Sequence, residues 1–184
     1  MAGANRGETQ DDHARRAGCR GPCRGAGGAG REARRVVEAI AAKAGVAPRT
    51  VLDLLPAGAA VPAPADAFAD VWAAMAGWGE VLLIVHTADI VLECTGSLPA
   101  GSFGHGYFNI HGDSPIAGHI KADRCAAIYF VDRQFHGRRS LSVQFLNGEG
   151  EAMFKVFVRR DASRDLIADQ AEAFEALRAS YMTK

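Results

Sequence analysis

The chain has 184 residues, 48% of them hydrophobic, and its 21 Lys and Arg balance 21 Asp and Glu. This length suits one domain, and a net charge of zero gives no general attraction to nucleic acid or to an anionic membrane. No apolar run reaches the roughly 20 residues that span a bilayer. The first residues lack the apolar centre of a secretory signal, and the four cysteines form no compact disulfide framework. A cytoplasmic location is therefore expected.

Residues 1–30 are rich in Gly, Arg and Ala and show no hydrophobic period. They predict a disordered N-terminal extension, followed by a single domain over residues 31–184, because such a segment cannot bury enough surface to offset the entropy of ordering. The surplus of Arg leaves a weak nucleic-acid arm as an alternative. Cys19 and Cys23 would form half of a zinc site, but no second pair of ligands lies nearby.

Helical spacing of apolar residues begins at Arg31 and ends at Gly45, which has the place of a C-terminal cap. A second short helix is predicted in residues 47–56, ending at Pro56. The pair resembles a helix-turn-helix, so a DNA-binding regulator is one alternative function. Its second helix offers only Arg49 and Thr50 for contacts to DNA, which favours a packing role. Pro62 and Pro64 indicate a linker before a third helix over residues 67–76.

Strand patterns replace helical ones after residue 77. About seven apolar segments are separated by short polar connections, which predicts mostly antiparallel pairing. The first of these strands ends at His86. A final helix is predicted over residues 163–181. The fold class is therefore α+β, with a large antiparallel β-sheet flanked by N-terminal helices and a C-terminal helix.

Three of the six histidines and one of the three tyrosines fall within residues 101–121. With residues 102–110 taken as one strand, side chains two apart share a face. That face would carry His105, Tyr107, Asn109 and His111, and the next strand would present His119 and Lys121 together. The flanking glycines would let a flat ligand approach the backbone.

Haem fits this pattern, because imidazole nitrogen and tyrosinate oxygen are both axial ligands of haem iron. The propionates need cations, for which the candidates are Lys121, Arg133, Arg138 and Arg139. The candidate porphyrin walls are Phe103, Phe130 and Phe135. The alternative is that these side chains only form hydrogen bonds at a sheet surface. No zinc-hydrolase, nucleophile or phosphate-binding motif accompanies them, but a haem-degrading enzyme remains a second hypothesis.

Several strings occur together in a familiar order. They are RTVLDLLP at 49–56, FADVWAAMAGWGEV at 68–81, VHTADIVLE at 85–93, HGYFNIHG at 105–112, GHIKAD at 118–123 and MFKVFVRRD at 153–161. In this combination the chain resembles the intracellular haem-utilisation carriers of the HutX/ChuX type. The resemblance extends over about residues 33–182.

This resemblance implies a non-enzymatic haem carrier of the cytoplasm that serves iron acquisition and passes haem to a separate degrading enzyme. It also implies a homodimer, in which each protomer corresponds to half of a larger, duplicated haem-trafficking protein. The family associates haem binding with positions that are His86, Tyr107 and His119 here, as alternative ligands of the haem iron. His105 and His111 offer further imidazoles, and His136 stands in a segment where other members tend to carry Met.

Overall fold

The computed structural model describes residues 36–182. The predictions made for the extension, including its Arg surplus and the Cys19–Cys23 pair, lie outside this range. Within it, no helix combines the length and the apolar character needed to cross a membrane.

Two short helices come first, α1 over Val37–Ala44 and α2 over Pro48–Asp53. Gly45 ends α1 in the left-handed conformation at φ 66°, and its N–H bonds back to the last turn, which confirms the predicted cap. On α2, Val51 and Leu52 are buried against the sheet in one cluster with Tyr129. The helix pair therefore packs on the protein's own sheet.

The main sheet has six strands, all antiparallel, in the order β1-β7-β8-β9-β2-β3. The strands are β1 Ala60–Ala63, β2 Glu80–His86, β3 Val91–Ser97, β7 Cys125–Phe135, β8 Arg138–Asn147 and β9 Ala152–Phe157. The predicted linker was wrong, because residues 60–63 form β1. Its Pro62 is tolerated since β1 lies at the edge of the sheet, where a missing N–H donor breaks no ladder.

A second sheet has three strands, β4 Gly101–Gly104, β5 Tyr107–Ile110 and β6 Gly118–Ile120, in that order. The single strand predicted over residues 102–110 was wrong. His105 and Gly106 form a two-residue turn with φ of 52° and 76°, and Gly104 pairs with Tyr107 across it. Positive φ at both central residues is typical of tight hairpin turns.

The larger hydrophobic core lies on one face of the six-stranded sheet, and α1 and α2 pack in a smaller cluster on the other face. Alternate residues of β2, β8 and β9 enter the larger core, and α3 (Phe68–Ala76) and α4 (Ala168–Met182) pack over them. Phe68 and Trp72 of α3 make edge contacts with Phe108, which brings the small sheet into the same core. Phe174 anchors α4 and is fully buried. The predicted α+β class, with one large antiparallel sheet and helices at both ends, is confirmed.

Candidate functional site

The small sheet groups several of the candidate ligands on its outer face. Tyr107 and His119 lie 5.8 Å apart between ring centroids, and the rings of His111 and His119 lie 5.4 Å apart. The Lys121 ammonium stands 4.1 Å from the centre of the Tyr107 ring. On the other face of this sheet, Phe108 enters the core. The cluster therefore points away from the core.

Asn109 fixes the orientation of His119, which it opposes directly across the β5–β6 pair. The Asn109 amide nitrogen lies 3.0 to 3.3 Å from three backbone carbonyls of the β4–β5 hairpin. Carbonyl oxygens only accept, so Oδ1 of Asn109 faces His119, and Nδ1–H of His119 donates to it over 2.7 Å. A neutral imidazole then carries its free electron pair on Nε2. Metal-binding histidines are typically held in this way through their other ring nitrogen.

His105 occupies a different place from the one that strand parity indicated. It sits in the hairpin turn at φ 52°, so the interpretation that it shares a strand face with Tyr107 was wrong. The physical reason is that a tight turn reverses the chain at this point, and the period of two holds only within a strand. Whether His105 binds iron stays a prediction.

A large cavity of about 660 Å³ lies on the opposite face of the six-stranded sheet from the core. Its size is within the range of about 300–1,000 Å³ typical of small-molecule sites. The residues of β2, β8 and β9 that alternate with the core residues form its floor. The lining includes Leu82, Ile84, His86, Val91, Arg133, Phe135, Gln144, Lys155 and Phe157.

His86 lies at the end of β2, inside this cavity. Its Nδ1 is 3.6 Å from a carboxylate oxygen of Glu38 on α1. The other oxygen of Glu38 forms an ion pair with Lys155 of β9, a residue that is only 5% exposed. Burial lowers the pKa of Lys155, and the charge of Glu38 opposes that shift. His86 thus lies beside the Glu38–Lys155 ion pair in this cavity.

The remaining candidates separate into two groups. Arg133 and Phe135 line the cavity, as a cation and a wall of the haem site would. Phe130 was wrongly assigned to a porphyrin wall, because its ring is buried in the core against Phe174 and Tyr181. In β8, Arg138 donates to the backbone carbonyl of Arg164. Arg139 pairs with the carboxylates of Asp132 and Glu175.

One protomer does not bring His86 together with His119. His86 lies in the cavity on one face of the main sheet, whereas the small sheet packs into the core on the other face and presents His119 outward. The main sheet and the core stand between them, and packed layers are about 10 Å apart. The sequence therefore identified two sets of candidate ligands that belong to different surfaces.

Three residues of these sites had no assigned role in the sequence. Lys155 carried a signal, since it is a single charge within the apolar run of β9. Asn109 was placed on the correct face, but its contact with His119 depends on the pairing of β5 with β6. Glu38 resembles any exposed helical acid, and only the packing of α1 on the sheet brings it to Lys155.

The fold and these sites define a class: an α+β protein whose open antiparallel sheet carries a ligand-sized cavity on one face and a His–Tyr cluster on an appended sheet. The family model described as haem utilisation ChuX/HutX matches residues 61–177. The chain belongs to this family, as its sequence strings predicted.

Individual relatives agree. The intracellular heme transport protein HutX of Vibrio cholerae is 32% identical over 105 residues, which are 56% of this chain and 54% of HutX. The chain therefore spans about half the length of this curated relative. Protein AGR_C_4470 of Agrobacterium tumefaciens is 64% identical with a TM-score of 0.75, covering 78% of this chain and 84% of that one. The heme-binding protein ChuX is 39% identical with a TM-score of 0.75, covering 82% and 93%.

A more distant structure bears on the size of the fold. PhuS, a heme-binding protein from Pseudomonas aeruginosa, is 20% identical with a TM-score of 0.63. The match covers 76% of this chain but only 40% of PhuS. The fold of this chain thus corresponds to about half of a larger relative, as predicted.

Proposed function

We propose that this protein is an intracellular haem-binding carrier of haem utilisation and iron acquisition. The observation that carries the proposal is His119, held through Nδ1 by Asn109 with Nε2 free to bind iron, and with Tyr107 beside it. The names of HutX and ChuX, a heme transport protein and a heme-binding protein, support the choice of ligand.

His119 and Tyr107 are the two candidate iron ligands of the small sheet, as imidazole and phenolate donors respectively. Lys121 stands over the Tyr107 ring and is placed to attract a propionate. His105, in the turn between β4 and β5, is a further proposed contact to haem. A shallow pocket of about 180 Å³ beside them includes Phe103, which offers an apolar contact for the porphyrin edge.

We further propose that the working unit is a homodimer. His86 and His119 lie on opposite sides of one protomer, so a haem that uses both must lie between two protomers. A two-fold dimer would set the cavity of each protomer against the small sheet of its partner and would create two equivalent sites. The correspondence of this fold to about half of PhuS is consistent with such a pairing.

The proposed role is carriage, not catalysis, with a separate haem-degrading enzyme as receiver of the haem. HutX is named a transport protein, which supports this assignment. Haem-loaded protein supplied with an electron donor and oxygen tests it directly. A stable Soret band is expected, and a bilin product would show that the protein degrades haem itself.

Haemin titration of the full chain tests the proposal as a whole. A saturable, shifted Soret band with one haem per chain is expected. His119→Ala or Tyr107→Phe should change both the spectrum and the affinity if the replaced group is an iron ligand, whereas Lys121→Ala should change mainly the affinity. Lys43→Ala, an exposed cation in the last turn of α1, is the matched control for Lys121→Ala and should behave as the unchanged protein. Absence of a stoichiometric complex would refute haem binding.

The dimeric site has its own test. His86→Ala and His119→Ala proteins, each impaired alone, are unfolded together and refolded to form mixed dimers. In a mixed dimer one of the two shared sites retains both histidines, so partial recovery of the original spectrum is expected. A mixture that binds only as the sum of its parents would refute a site shared between protomers.

A further inference from the structure

Glu38 and Lys155 form a buried ion pair on the cavity side of the main sheet. Lys155 projects from β9, which lies in the interior of the sheet between β8 and β2, and Glu38 lies in the first turn of α1. Both Glu38 oxygens are buried, and neither makes a hydrogen bond of ordinary geometry within the described residues. The carboxylate is held by its contact with the Lys155 ammonium, through charge and hydrogen bonding together. Another carboxylate can make the same contact with this ammonium.

Without Glu38, the cavity would be strongly positive. Among the described residues 36–182, Lys155 and three arginines line it, against one lining acid, Glu93. Arg159 has its own partner, Glu80, outside the lining. Burial lowers the pKa of Arg133, and the charge of Glu38 again opposes this shift. Glu38 is therefore the counter-ion of Lys155, the buried cation of the cavity.

The rest of the cavity is mostly apolar, with the polar side chains of Thr95 on β3 and of Ser140, Ser142 and Gln144 on β8. Leucine, isoleucine, valine and phenylalanine side chains of β2, β3, β7 and β9 form its walls. In addition, the buried Oε1 of Gln144 has no hydrogen-bond partner in the described part of the chain. Apolar walls around a buried cation suit an amphipathic ligand, namely an apolar ring or chain that ends in carboxylates.

We propose that Glu38 occupies the place of the ligand's carboxylate, and that ligand binding exchanges one carboxylate for the other on Lys155. For the carrier proposed above, on which this inference rests, the incoming group is a haem propionate. The exchange keeps Lys155 paired at every stage, which matters because an uncompensated buried charge is strongly destabilising. Glu38 is able to leave, since α1 has only eight residues and two of them, Val37 and Ala41, are buried.

The exchange has a consequence for affinity. An internal carboxylate competes with the ligand for the same cation, so the ligand binds less tightly than the cavity alone would allow. It also gives the cation a partner when the ligand leaves. A carrier that must release its cargo benefits on both counts.

Metal-free protoporphyrin IX and its dimethyl ester test this without any iron bond. They share an apolar ring and differ only in their carboxylates. Binding to the full chain is followed by quenching of tryptophan fluorescence. Glu38→Gln removes the competing charge at nearly constant size, and we expect it to raise the affinity for the diacid about tenfold, equivalent to about 1.4 kcal/mol, with no change for the ester. Lys155→Gln should lower the affinity for the diacid alone.

Glu172→Gln is the matched control, because Glu172 is an exposed acid of α4, which packs on the other face of the sheet from the cavity. It should leave the ratio of the two affinities unchanged. Should Glu38→Gln fail to fold, the double variant Glu38→Gln with Lys155→Gln carries no buried pair, and its preference for the diacid over the ester should be weaker than that of the unchanged protein.

An unchanged affinity of Glu38→Gln for the diacid, or an equal gain for the ester, would overturn the exchange, as would an undiminished preference for the diacid in the double variant. Failure of both porphyrins to bind the unchanged protein would overturn the ligand class assigned to the cavity. Haemin titration of the His119 variants reports separately on iron binding, so failure of the exchange is distinguishable from failure of the proposed function.

Discussion

Replacement of Asn109 by Leu removes the acceptor that orients His119 while nearly preserving side-chain volume. Nδ1–H of His119 then loses its partner, and the neutral ring is free to place its proton on Nε2, where it blocks iron. Loss of such an orienting partner lowers metal affinity by about 10- to 100-fold, equivalent to about 1.4–2.8 kcal/mol. The Asn109 amide also bridges carbonyls of the hairpin at 3.0–3.3 Å, but water replaces it at this surface, so only about 1 kcal/mol of stability should be lost.

Two measurements check this. Haemin titration gives the affinity, and long-range ¹H–¹⁵N correlation spectra of the His119 ring, recorded without haem, give the tautomer. Asn109→Asp is the informative partner variant, because it keeps the acceptor and loses the amide donor. It should retain the Nδ1–H tautomer and most of the affinity. The reasoning is refuted if Asn109→Leu binds haemin normally, or if Asn109→Asp is as weak as Asn109→Leu.

Three further outcomes are expected. Gln170→Leu should lower the free energy of unfolding, measured with denaturant, by about 2–4 kcal/mol. The reason is that the Gln170 amide donates to the backbone carbonyls of Trp78 and Glu80, at 2.9 and 2.7 Å. A loss below about 1 kcal/mol would contradict this. Burial raises the pKa of the Tyr129 phenol. Above about pH 10 the unfolded chain therefore loses a proton that the native state keeps, and the free energy of unfolding falls as pH rises. Tyr129→Phe should make that fall shallower in melting curves recorded at alkaline pH. Gly101→Ala should disrupt the small sheet and weaken haemin binding, since a Cβ there would lie 2.0 Å from the Phe108 ring, whereas Gly148→Ala, with nothing within 4 Å, should do neither.

Local signals predicted most of the helices and strands. Gly45 ended α1 because a residue without Cβ enters the left-handed region easily. The apolar run that ends at His86 became β2, since alternate burial on two faces of a sheet needs such a run. These elements depend on interactions among neighbouring residues, so the sequence alone was sufficient.

Tertiary partners determined the elements that were missed. Pro62 indicates a linker unless its strand lies at an edge, and that depends on pairing with distant β7. His105 and Gly106 seemed to belong to a strand until the pairing of β4 with β5 placed them in a turn.

The candidate site was predictable only in its residue types. Strand parity placed His119 and Tyr107 among the candidate ligands, and the family resemblance added His86. Neither carried information on which face of which layer each strand would present, so neither showed that His86 lies on a different surface. Pairing of α1 with β9 through Glu38 and Lys155 joins residues far apart in sequence, and no local pattern reports it.

Because side chains alternate along β2, the shape of the cavity depends on how the core packs. Val81 and Leu83 face the core while Leu82, Ile84 and His86 face the cavity, so the floor of the cavity is one peptide layer thick. A slip of this strand by a single residue would exchange its two sets of side chains. The cavity therefore cannot form before packing of the core has fixed the register of β2 in the sheet. Loosening of the core packing should release the ligand well before the chain unfolds.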